Sequence, residues 1–246
     1  MNLFRKKSNK KVSAKTNPNT LCGGLKFTAL EQYKILRSNL MFTLPDDVKC
    51  PIIGITSAMA GDYKSTTAIN LAYVLAEDKK RVLLIDGDLR LSSIAKKMNI
   101  SNKCGFTDYL TSKNTIAQTF KSDKGVMENF HIMPNGKIPP NPSELLSSTR
   151  TQRFFESVKD SYDYIIVDLP PVNIVSDALA VSKYLTGMII VAREGHTEKK
   201  EFERMARQIK QSNVNVLGCV ITDGKAEQGY YNYKKYYGSA NKGSVR

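Results

Sequence analysis

The segment Ile52–Thr67, Ile-Ile-Gly-Ile-Thr-Ser-Ala-Met-Ala-Gly-Asp-Tyr-Lys-Ser-Thr-Thr, leaves this chain few folds to choose from. An apolar strand, Ile52–Thr56, runs into a loop of small residues and then into a helix, Ser65–Ala76, headed by Lys64, Ser65 and Thr66. A strand–loop–helix of this composition holds phosphate. Backbone N–H groups and the helix N-terminus face the anion, the lysine reaches the outer phosphates and the hydroxyl coordinates Mg²⁺. Gly61, Asp62, Tyr63, Lys64, Ser65 and Thr66 are therefore candidate nucleotide-binding residues. The position before the lysine is ordinarily glycine, because backbone and phosphate approach closely there. Tyr63 occupies it, and a Cβ at such a place costs of order ~1–3 kcal/mol in strain or displaced ligand.

Two further segments give the loop its context. Val82–Ile85 is a short apolar strand ending in Asp86-Gly87-Asp88-Leu89-Arg90, and Tyr164–Asp168 is another, followed by Leu169-Pro170-Pro171. In a parallel sheet, acids at the C-terminal ends of strands project into the crevice that takes ligands. Asp86, Asp88 and Asp168 there could hold Mg²⁺ beside the phosphates, directly or through water. Any one of them could equally be a helix cap or a turn residue. Three segments in this order point to one shared site.

The chain of 246 residues suits one core with appendages. No apolar run reaches the ~18–20 residues of a membrane span, and the basic N-terminus lacks the apolar stretch of a signal peptide. Cys22, Cys50, Cys104 and Cys219 show no paired metal spacing and read as reduced thiols of a cytoplasmic protein. Of the net charge of +14, residues 1–30 supply +7 and residues 225–246 supply +4. With only +3 left for the rest of the chain, the charge belongs mainly to the tails, which argues against a nucleic-acid face. It suits either a solvated arm or attraction to an anionic inner membrane leaflet.

Alternating strand and helix signals predict an α/β fold: a mostly parallel sheet with helices on both faces, P-loop NTPase-like, between disordered N- and C-terminal tails. Residues 1–27 form a basic flexible arm, 28–223 the folded domain and 224–246 a flexible tail. A helix over Ala29–Phe42 turns Leu30, Tyr33, Leu36, Arg37 and Leu40 to one side. Leu91–Met98 reads as a helix and Phe106 begins another. Phe130–Met133, Met188–Val191 and Val216–Ile221 read as strands, and Glu198–Gln211 as a charged helix. Asn141-Pro142-Ser143-Glu144 has the pattern of a helix start with a capping box. In the tail, Tyr230, Tyr231, Tyr233, Tyr236 and Tyr237 fall within eight residues.

Taken together, the Asp86–Arg90 segment, Tyr162–Val172, Pro139-Pro140-Asn141-Pro142-Ser143-Glu144-Leu145-Leu146 and the tyrosine cluster resemble the bacterial tyrosine kinases of capsule and exopolysaccharide production. The resemblance covers nearly everything after residue 25. It implies an ATP-dependent protein tyrosine kinase that phosphorylates its own tail and regulates polysaccharide polymerisation and export. Lys64 would stabilise the β- and γ-phosphates, with Arg90 nearby, and Ser65 would bind Mg²⁺. Asp86 and Asp168 would position the metal, and Asp88 would help bind it and deprotonate the incoming tyrosine, whose pKa is near ~10. Glu31, Lys34 and Arg37 fall on the family's Glu-x-x-Arg-x-x-Arg assembly helix, with lysine at the first basic position. The implied partners are further copies in a ring, a membrane activator of polysaccharide export, a cognate tyrosine phosphatase and the inner face of the plasma membrane. Nucleic acid is not among them. Leu91-Ser92 stands where the family usually has Lys-Pro. Two other readings remain open at this point: a regulatory pseudokinase, favoured by Tyr63, and a nucleotide switch without kinase chemistry.

Overall fold

A computed structural model of the chain describes residues 24–111, 121–122 and 127–224; the expected arm before residue 24 and the five tail tyrosines lie outside them. The chain order is α1 (Phe27–Thr43), β1 (Ile52–Ser57), α2 (Lys64–Glu77), β2 (Val82–Asp86), α3 (Ile94–Met98), α4 (Phe106–Thr111), β3 (Lys121–Ser122) and β4 (Phe130–Met133). Then come α5 (Pro142–Ser147), α6 (Thr149–Val158), β5 (Tyr164–Asp168), α7 (Asp177–Val181), β6 (Gly187–Arg193), α8 (Lys199–Gln211) and β7 (Val216–Thr222). The strands form one sheet in the order β3-β4-β2-β5-β1-β6-β7. All pair in parallel except β3, a two-residue antiparallel edge.

The central strands are continuous apolar runs because both faces of the sheet are covered. Ile53 and Ile55 of β1, Leu84 of β2 and Ile166 of β5 pack with Ala68, Ile69, Leu71, Ala72 and Leu75 of α2. Ile52, Leu83, Ile85, Ile165 and Val167 face the other way, onto Phe106 of α4, Phe154 and Phe155 of α6 and Met205 and Ile209 of α8. The predicted strands and the two longest predicted helices are present, with bounds shifted by a residue or two.

Four local departures have physical causes. The helix expected over Leu91–Met98 begins only at Ile94, because the Asp88 Oδ1 carboxylate oxygen accepts the N–H groups of Arg90 (3.3 Å) and Leu91 (3.0 Å) and holds that stretch as a turn. At α5, Asn141 donates to Glu144 Oε2 (3.1 Å) instead of accepting from the helix backbone, so the capping box does not close. Helices α6 and α7 went unassigned in the sequence, although Thr151, Phe154, Phe155 and Val158 bury one face of α6 at helical spacing. The two-residue β3 is too short to carry an alternating pattern.

Helix α1 leans on the α2 face of the sheet through Leu30, Tyr33, Leu36 and Leu40. Glu31 and Lys34 form an ion pair within the helix at 2.9 Å. Arg37 is used within the chain: its Nη1 donates to the carbonyl of Val74 at 2.7 Å, near the C-terminal end of α2, and lies 3.8 Å from Asp78. A cation at a helix C-terminus is favourable there, and it satisfies a main-chain acceptor. Arg37→Ala should therefore lower the unfolding free energy by about 1–2 kcal/mol. Urea unfolding of the ligand-free chain measures this directly; an unchanged midpoint would show that the guanidinium contributes nothing to the docking of α1.

Candidate active site

The site lies where β2, β5 and β1 end side by side. Register places Asp86 beside Asp168, and Asp168 beside Ile55 of the strand that feeds the phosphate loop. Gly87, between the two acids of its segment, donates its N–H to the Asp168 carbonyl at 2.8 Å. A Cβ on Gly87 would come 2.9 Å from that same oxygen, so only glycine allows the two chain ends to run so close.

Lys64 stands at the first position of α2, and its ammonium reaches both acidic segments: Asp168 Oδ1 at 3.3 Å and Asp88 Oδ2 at 3.5 Å, with Ser65 Oγ at 3.3 Å. The Ser93 hydroxyl lies within hydrogen-bond reach of both Ser65 Oγ (2.6 Å) and Asp168 Oδ2 (3.3 Å), with its one proton shared between them. Asp86 and Asp168 are fully buried. Burial pushes the Asp86 carboxyl well above the usual carboxylate range, and the neighbouring Asp168 charge pushes it further, against the pull of Lys64. Burial also raises Asp168, opposed by Lys64 and the Ser65 hydroxyl. Burial disfavours the charge on Lys64, yet Asp168, Asp88 and Asp86 together hold its pKa above the ordinary lysine value.

The loop itself is built to face an anion. Tyr63, the N-cap of the 14-residue α2, makes no side-chain cap, so the cap residue does not occupy the first-turn N–H groups. Gly61 (φ 92°) and Tyr63 (φ 64°, ψ 25°) both adopt left-handed backbone. The glycine-type geometry expected beside Lys64 is thus present, with a tyrosine adopting it. Asp62 turns inward and braces the loop, accepting from Met59 N–H (3.1 Å) and from the Thr197 hydroxyl (2.7 Å).

Arg90 is directed elsewhere. Its guanidinium forms a two-pronged pair with buried Asp177 at 2.8 and 3.1 Å, and Ser143 of α5 donates to the same carboxylate. It thereby ties the Asp86–Arg90 segment to α7 and α5. Asp177, Ser93 and Thr197 were not singled out in the sequence; each meets the site through a partner 28 to 135 positions away, and no local spacing signals them.

The residues fit a Mg²⁺–nucleotide in one specific respect: Asp86 Oδ1 is buried with no hydrogen-bond partner, while Oδ2 accepts from Ile94 N–H at 3.2 Å. An orphaned carboxylate oxygen beside a lysine, two serine hydroxyls and a second carboxylate suits a hydrated cation. Among the described residues, no three His, Cys, Asp or Glu side chains converge as a protein-only metal cage. Mg²⁺ does not need one, since it keeps several waters and takes its other ligands from phosphate.

This fold and site define a P-loop nucleotide-binding protein. Residues 50–216 match the model of an AAA domain family. The chain is 34% identical over 208 residues to tyrosine-protein kinase YwqD of Bacillus subtilis, covering 83% of this chain and 86% of YwqD. It is also 34% identical over 197 residues to tyrosine-protein kinase Etk of Escherichia coli, covering 79% of this chain but only 26% of Etk. The solved kinase domain of Etk superposes with a TM-score of 0.74 at 32% identity, covering 80% of this chain and 78% of that domain. The septum site-determining protein MinD of Pyrococcus horikoshii shares the fold with a TM-score of 0.59 at 22% identity, covering 73% of each chain. The chain belongs to the bacterial tyrosine-protein kinase family.

The raised carboxyls carry a testable consequence. An acid whose folded-state pKa lies above its unfolded value binds more protons when folded, so it lowers stability as pH rises from the unfolded pKa through the folded one. Asp86→Asn should therefore raise the unfolding midpoint of the ligand-free chain at pH 7. The gain should shrink as pH falls through the raised folded-state pKa, where the native carboxyl takes up its proton, and vanish near the unfolded value of about 4. Thermal unfolding between pH 4 and pH 8 checks both the sign and the trend.

Proposed function

We propose that this chain is an ATP-dependent protein tyrosine kinase that autophosphorylates the cluster Tyr230, Tyr231, Tyr233, Tyr236 and Tyr237 and regulates capsular or exopolysaccharide polymerisation and export. The observation that carries the reading is Lys64 at the head of an α2 without a side-chain cap, between Asp88 and Asp168, in a chain of the tyrosine-protein kinase family. Phosphoryl transfer needs positioning and charge neutralisation more than covalent chemistry. When bound with ATP, Mg²⁺ supplies charge neutralisation at the β- and γ-phosphates. Ser65 and Asp86 are the residues best placed to hold it, with Asp168 ordering Ser65 and Ser93. Lys64 exchanges its carboxylate partners for phosphate oxygens, and Asp88, released from Lys64, accepts the proton of the incoming tyrosine hydroxyl.

The assembly and location follow the same reading. Copies associate through α1, with the Glu31–Lys34 pair on its surface and Arg37 as the internal strut that fixes the helix. Among the described residues, no helix is long and apolar enough to cross a membrane. A membrane activator of polysaccharide export, with help from the basic N-terminal arm, would bring the chain to the inner face of the plasma membrane, and a tyrosine phosphatase would reset the tail.

Incubation with labelled ATP and Mg²⁺, with phosphotyrosine mapped by mass spectrometry, tests the proposal. Phosphate should concentrate on the five tail tyrosines, and Lys64→Met should abolish the label. Label mainly on Tyr73 or Tyr109 would count against tail phosphorylation. Tyr63→Gly should tighten ATP binding by up to about tenfold, because glycine adopts the left-handed conformation without the Cβ clash. Activity present only in Tyr63→Gly would mark the native chain as a pseudokinase.

A further inference from the structure

The structure assigns a compensating partner to the tyrosine of the phosphate loop: we infer that Arg193 is a positioning residue that holds Tyr63 in its left-handed conformation and so keeps the loop in shape for phosphate. The inference rests on reading residues 59–66 as the phosphate-binding loop. Its own evidence lies in the C-terminal ends of β6 and β7.

A side chain at φ 64° meets crowding that glycine would not, and its ring needs a place outside the loop. Tyr63 is 40% exposed, and the Arg193 guanidinium carbon lies over its ring, 4.6 Å from the centroid. That is a cation–π contact. Arg193 is itself fixed from two sides. Its Nε donates to Asp223 Oδ2 at 2.7 Å, and its backbone N–H donates to Thr197 Oγ1 at 2.7 Å. The Thr197 hydroxyl in turn donates to Asp62 Oδ1 at 2.7 Å, one residue before Tyr63. Asp62, Tyr63, Arg193 and Thr197 therefore close a ring of contacts around the loop. Two more bonds tighten it: the Thr222 hydroxyl donates to the Asp62 carbonyl at 3.1 Å, and the His196 ring nitrogen lies 3.0 Å from the Ala60 carbonyl. The turn after β6 and the end of β7 grip the loop after β1.

The arrangement gives Arg193 a task that exists only because residue 63 is not glycine. A positive charge near a phosphate loop could instead act by simple attraction, and a turn residue could act by stability alone. A double-mutant cycle separates these. Native chain, Arg193→Ala, Tyr63→Gly and the double variant are titrated with Mg-ADP and unfolded thermally without nucleotide; Tyr63→Phe, which keeps the ring, serves as control. Arg193→Ala should weaken Mg-ADP binding roughly three- to fivefold in the native and Tyr63→Phe backgrounds, and by less than about twofold in the Tyr63→Gly background. Without nucleotide, Arg193→Ala should lower the midpoint by about 2 °C in the native background and leave it nearly unchanged in Tyr63→Gly. Equal losses in both backgrounds would overturn the inference, showing that Arg193 acts through its charge or its turn; so would no loss in either. If the native chain fails to bind Mg-ADP, the proposed kinase function falls, and the nucleotide-free cycle still decides whether Arg193 supports Tyr63.

Discussion

The largely enclosed ammonium of Lys64 organises this protein. Two fully buried carboxylates at adjacent strand ends would repel one another in a medium that screens them poorly, and burial already presses both toward their neutral forms. Lys64 lies against the Asp168 and Asp88 carboxylates and offsets part of that repulsion. It can do so because α2 begins at that residue, directly after the loop, and because α2 is itself buried along most of its length against the sheet. The core packing of Ile69, Leu71, Leu75 and their neighbours thus fixes where a charge falls.

The acids also have structural work. One oxygen of Asp86 accepts the first N–H of α3, and Asp88 Oδ1 accepts two N–H groups of the following turn. Each carboxylate is thereby oriented through one oxygen by the main chain, and its other oxygen is turned toward Lys64 or left without a partner. Cap and ligand need not compete as explanations for an acid after a strand, because the capping bond uses one carboxylate oxygen and leaves the other turned toward the crevice.

The sheet and its site were legible because the signals are local. Apolar runs such as Val82–Ile85 and Tyr164–Val167 are too short for helices and suit strands buried in a parallel sheet, and acids that follow such strands emerge at one edge. The spacing of Leu30, Tyr33, Leu36 and Leu40 gave the inward face of α1 for the same reason. What stayed hidden was long-range. Nothing near Arg90 announces Asp177, nothing near Tyr63 announces Arg193, and the early part of the predicted Leu91–Met98 helix was lost to a side-chain acceptor that competes with helical hydrogen bonding. Tyr63 was legible as an anomaly. Its accommodation by Arg193, far later in the chain, was not.

The hydrogen bond from Gly87 to the Asp168 carbonyl has a consequence for how such a site can change over time. The separation between the two acidic segments is set by main chain against main chain, with no side-chain volume between them. The spacing of the two segments is therefore independent of which side chains the acids carry, whereas the turn and helix that follow β2 depend on the Asp86 and Asp88 carboxylates. A substitution that lengthens residue 87 by a single carbon would thus be felt as a change in strand-end spacing before it was felt in any side-chain contact of the crevice.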